Sequence, residues 1–118
     1  MQRKDVEKYS ELYSKLSSMK GDIALLSAKK PNEPVNEFKL KVINKVLAQI
    51  NELVGDFKPE DDFEAFDLDV LPTNSDVLMM LNLYMNGMSR FKDTNSVEKS
   101  KIDDWGTQFT SKVWNIED

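Results

Sequence analysis

Residues 95–116 read Asn95-Ser96-Val97-Glu98-Lys99-Ser100-Lys101-Ile102-Asp103-Asp104-Trp105-Gly106-Thr107-Gln108-Phe109-Thr110-Ser111-Lys112-Val113-Trp114-Asn115-Ile116, and the fold class turns on them. Ile102, Trp105, Phe109, Val113 and Ile116 recur three or four residues apart, the spacing of one helical face, with Trp114 beside it. Asp93-Thr94-Asn95-Ser96 makes a turn, and Asn95 or Ser96 stands as the N-cap of a helix. Gly106 weakens the interior of the segment. On this reading the segment is a fourth helix, and the chain is an all-α, four-helix bundle-like domain.

Working back toward the N-terminus, Thr73-Asn74-Ser75-Asp76 comes directly after Pro72 and fits a capping box with aspartate in the acidic role. Val77, Leu81, Tyr84, Met88 and Phe91 form the stripe of the third helix, widened by Leu78, Met80 and Met85. Met79 falls opposite that stripe, where a partner can reach it. A first helix runs from about Lys4 to Ala28, its face made by Tyr9, Leu12, Leu16, Met19, Ile23 and Leu26. The second is expected after Asn32 as N-cap, with Glu33 and Pro34 in its first turn. Leu40, Ile43, Leu47, Ile50 and Val54 make its buried face, and Gly55 stands at its C-cap. The short connection implies an antiparallel pair, with Leu16, Met19 and Ile23 facing Leu40, Ile43 and Leu47.

Between the second and third helices lies a long acidic connection, residues 56–73, that also carries phenylalanines. Pro59 and the acids after it read as the start of one short helix, and the rest as an extended strap. At least two of Phe57, Phe63 and Phe66 are expected to dock on the core. Asp61, Asp62, Glu64, Asp67 and Asp69 would then form an outward ridge, available to a basic partner.

The chain has 118 residues, and residues 1–118 are read as a single helical domain. It contains neither cysteine nor histidine. Thiolate chemistry, a Ser-His dyad and a mixed His/carboxylate metal site are therefore closed to it. Asp67-Leu68-Asp69 resembles the opening of a calcium loop, but Pro72 and Leu78 stand where that loop needs glycine and glutamate. The four glycines are scattered, so no phosphate-cradling loop exists. The reading is of a non-enzymatic chain with no cofactor and no metal.

Net charge is −5, divided into +3 over residues 1–55 and −8 over residues 56–118. That split, with apolar residues to spare, points to a protein–protein interaction module: a small adaptor, accessory subunit or regulator that binds another protein or itself. The alternative is a nucleic-acid-associated regulator that holds phosphate through Lys39, Lys41 and Lys45 of the second helix. The acidic balance and the glutamates among those lysines weigh against nucleic acid. The longest apolar run, Val77-Leu78-Met79-Met80-Leu81, is far below the ~20 residues of a membrane-spanning helix, and no secretory signal opens the chain. A cytoplasmic location without membrane contact is the expectation.

Overall fold

In the computed structural model, which describes residues 1–59 and 63–116, three apolar stripes meet in one core. They belong to α1 (Arg3–Lys29), α2 (Glu37–Val54) and α3 (Asn74–Thr94). Leu12, Leu16, Leu40, Leu47, Ile50, Val77, Leu81 and Met88 are fully buried there. Near its start α1 places Asp5 and Lys8 beside Gln49, Glu52 and Leu53 at the end of α2, and later Met19 and Ile23 beside Phe38 and Ile43. The pair is antiparallel, as expected. Tyr9 joins α1 to α3, its hydroxyl donating to the Met88 carbonyl at 3.0 Å. Burial pushes that hydroxyl up to about 12, so it remains a neutral donor.

The α2 boundary differs from expectation. Asn36, not Asn32, is the N-cap, its side chain accepting from the Lys39 amide at 3.3 Å. The reason lies across the molecule. Pro34 bridges Thr73, with the Val35 amide donating to the Pro72 carbonyl and the Asn74 amide to the Glu33 carbonyl, each at 2.9 Å. This clasp holds residues 33–35 extended, so the helix can begin only after it. It also completes the start of α3. The Ser75 amide donates to the Pro31 carbonyl and the Asp76 amide to Thr73 Oγ1, so few of the free amides of that helix end lack a partner. Thr73 is the cap the sequence indicates, but the capping box is only half formed, since Asp76 does not return a bond to the Thr73 amide. Asn74, buried at the same place, donates from Nδ2 to the Lys30 carbonyl at 2.8 Å.

Gly55, at a φ of 56°, ends α2 in the left-handed region and leads into a 3-10 turn over Gly55–Phe57. There the Phe57 carbonyl comes so close to α3 that a Cβ on Gly87 would collide with its oxygen. Gly87→Ala is therefore expected to cost about 1–3 kcal/mol, because backbone rather than a flexible side chain must yield. Urea unfolding measures it.

The fourth helix is absent, and the all-α, helical-bundle assignment is wrong: the fold is α+β. Residues 95–116 form an antiparallel hairpin of β1 (Ser96–Ile102) and β2 (Gln108–Trp114), with Ser96 opposite Trp114 and Ile102 opposite Gln108. Three residues, Asp104, Trp105 and Gly106, make the loop. The Gly106 amide donates to the Asp103 carbonyl at 3.0 Å, and the Asp103 amide to the Thr107 carbonyl at 3.1 Å. Gly106 has a φ of 79°, the left-handed position that closes such a turn. Asp103 Oδ1 fixes it further by accepting from the Trp105 and Thr107 amides. The apparent helical stripe therefore has no common face. Phe109 and Val113 share one side of the sheet, Ile102 stands on the other, and Trp105 is in the loop.

Candidate functional site

The hairpin leaves the helical body as an arm. Overall extents are 57 × 29 × 20 Å, and the radius of gyration is 17.4 Å. A chain of this length packed into one rounded unit would have a radius of roughly 13–14 Å. Among the described residues, the two strands pair only with each other, so both outer edges are open. Two strands alone are marginal in water. Yet this arm carries Val97, Ile102, Trp105, Phe109 and Ile116, five of the eleven large apolar side chains exposed on the described surface. Trp105, at the tip, is 91% exposed.

Among the described residues, aromatic packing between arm and body is confined to the root. The Trp114 ring meets Tyr9 edge-on at 4.9 Å between centroids and lies 6.4 Å from Phe91, with the Lys92 ammonium 5.7 Å above it. Asn95 ties the junction at two points. Its Nδ2 donates to the Phe91 carbonyl, and its own carbonyl accepts from the Asn115 amide, each at 2.8 Å. Ser96 Oγ donates to the Lys92 carbonyl at 2.6 Å, and Lys112 faces Asp93 at 3.7 Å. The contacts between arm and body thus gather at the root, while the length of the arm stands in solvent.

The phenylalanines of the strap between α2 and α3 dock as expected, whereas the short helix expected from Pro59 falls on residues 60–62, outside the described residues, and the residues on either side of them are not helical. Phe57, Phe63 and Phe66 all pack against the core, and Phe63 meets Phe66 and Tyr84 edge-on. The groups that hold its backbone are ones the sequence does not single out. Asn44 grips Phe66 at two points, Nδ2 donating to its carbonyl at 2.9 Å and Oδ1 accepting from its amide at 2.8 Å. Asn51 lies two turns further along the same face of α2. It donates to the Glu64 carbonyl and accepts from the Tyr84 hydroxyl at 2.7 Å. The available signal was two asparagines seven residues apart, beside the buried Ile43 and Ile50.

The acidic ridge is partly described. Glu64, Asp67 and Asp69 are exposed, whereas Asp61 and Asp62 lie outside the described residues. Lys58 Nζ pairs with Glu64 at 2.7 Å, and Asp67 accepts from the Asp69 amide at 2.9 Å, so two of the three described acids are engaged locally. Met79 is 58% exposed on the outer face of α3. The lysines do not converge. Lys41 and Lys45 share a face of α2, Lys39 lies about 200° around the helix from Lys41, and Lys41 faces Glu37 at 3.8 Å. Lys39 instead borders a cleft of about 170 Å³ between α1 and α2, lined by Met19, Ile23, Phe38 and Val42.

Among the described residues, no cluster of three or more acidic side chains is placed to hold a metal ion, and no helix is long and apolar enough to cross a membrane. Compared with known proteins, the chain matches no protein family, no curated protein and no solved structure.

Proposed function

We propose that the chain is a non-enzymatic protein–protein interaction module whose contact element is the β1–β2 arm. The observation that carries this reading is a hairpin projected into solvent from a packed aromatic root, with Trp105 bare at its tip. A monomer gains nothing from a solvated tryptophan, whereas tryptophan is enriched among the anchors that dominate protein interfaces. The ordered junction at Asn95 lowers the entropy cost of presenting that anchor.

The test is capture of partners by the purified chain and by its Trp105→Ala variant. Trp105 supports no packing in the body, so the variant should unfold at the same urea concentration as the parent. Retained partner is expected to fall about thirtyfold, the effect of losing an anchor worth ~2 kcal/mol. Equal capture by both proteins would refute the arm as the contact element.

A further inference from the structure

Resting on the reading of the arm as an interaction element, we propose that the β2 edge takes a second copy of this chain, added antiparallel about a two-fold axis at Ser111.

The backbone determines which groups the edge offers. The bonds from Asp103 to Thr107 and from Asn115 to Asn95 mark the two ends of the ladder. In an antiparallel pair, alternate residues turn their amides and carbonyls inward. Phe109, Ser111 and Val113 therefore bond to β1. Gln108, Thr110, Lys112 and Trp114 direct theirs to the open edge. A second β2 centred on Ser111 sets Thr110 against the other copy's Lys112, and Gln108 against its Trp114. All the outward groups of the strand are then paired.

The side chains agree with this register. Phe109 comes opposite the other copy's Val113, and Val97 stands beside that pair in the next strand. The result is a four-stranded sheet with two apolar rows, beyond the three strands at which a sheet becomes self-supporting. Ser111 Oγ is buried without a hydrogen-bond partner in the single chain. Ser111 as a residue is half-buried, and a change of its χ1 rotamer turns the hydroxyl toward its symmetry mate at the two-fold, in the closely spaced kind of antiparallel pair where hydroxyls can bond.

Charge selects β2 over β1. The same operation on β1 centres on Lys99 and opposes it to itself, with Lys101 against Val97. Lysine on an edge is a common device against strand addition, and β1 carries two lysines where β2 carries one, Lys112, which this register sets against Thr110 and not against a second lysine. The arm as a whole is neutral, since Lys99, Lys101 and Lys112 balance Glu98, Asp103 and Asp104. The net charge of −5 therefore resides elsewhere and does not oppose the seam directly.

Sedimentation equilibrium of the full chain tests the proposal. A seam of two short strands belongs with small interfaces, below roughly 1,200 Å², so protein is taken up to concentrations on the order of 100 μM. The expected mass at the upper end is twice the 13.6 kDa of the chain. Thr110→Pro removes an outward amide of β2 and should leave a monomer. Ser100→Pro removes an outward amide of β1 and should leave the dimer intact. Two charge variants give an answer that does not depend on tolerance of proline, because residue 110 faces only Ser100 within its own hairpin. Thr110→Lys, opposed to the other copy's Lys112, should weaken the dimer several-fold, and Thr110→Glu should tighten it by a similar factor. A monomer at every concentration overturns the proposal, as does a dimer indifferent to all Thr110 variants. If the chain is monomeric yet Trp105→Ala still lowers capture about thirtyfold, the second copy is refuted while the interaction-module reading stands.

Discussion

Tyr84→Ala should lower the stability of the fold by about 3–5 kcal/mol, the range for removing a large buried aromatic side chain. Tyr84 is 1% exposed at the centre of α3 and acts on two parts of the structure. Its ring is the surface on which Phe63 sits, and its hydroxyl donates to Asn51 Oδ1. Asn51 in turn donates to the Glu64 carbonyl. Truncation thus leaves a cavity and frees the residue that ties down the strap. Tyr84→Phe separates the two effects. It keeps the ring and leaves Asn51 Oδ1 unpaired, at a cost of about 1–2 kcal/mol. If the phenylalanine variant loses as much as the alanine variant, the hydroxyl and not the ring supports the strap. Urea denaturation of both proteins decides.

The stripe residues of α1, α2 and α3 were legible because a helix that buries one face must repeat its apolar side chains every three or four positions. Thr73 was legible because a capping hydroxyl acts over three residues, a purely local matter. Asn36 was not. Asn32 and Asn36 are equally good caps, and the choice is made by Pro34 pairing with Thr73, a contact between residues 39 positions apart in sequence. The Asn44 and Asn51 grips were hidden for a related reason. An asparagine that satisfies a distant backbone looks, in sequence, like one that faces water.

Residues 95–116 misled for a different reason. Apolar residues three or four apart suit a helix, but a hairpin also produces such spacings when its strands and loop each contribute one or two. The contrary evidence was local: Asp103 and Gly106 frame a tight turn, and Val97, Ile102, Thr107, Thr110 and Val113 are β-branched. Read as a helix, Gly106 is a defect; read as a turn, it is required, because its φ is positive. The candidate contact surface was missed with it. Once Trp105 is assigned to a buried helical face, nothing in the sequence marks it as exposed.

Leu47→Ala and Leu16→Ala are each expected to cost about 2–5 kcal/mol, since both side chains have no exposed surface and their removal leaves a cavity among α1, α2 and α3. Where that loss is felt tells more than its size. Among the described residues, the arm shares no large apolar interface with the body beyond its root at Trp114, Tyr9 and Phe91. Its strands can separate without disturbing Leu16 or Leu47, so their amides exchange through a local opening that needs less free energy than global unfolding. Amide hydrogen exchange should accordingly show protection of α2 and α3 core residues falling by the full 2–5 kcal/mol in either variant. Protection of Lys99, Lys101, Phe109 and Val113 should stay where it was. A parallel fall in the strands would mean that arm and helices unfold as one unit, and that the arm is an extension of the core and not a separately supported contact element.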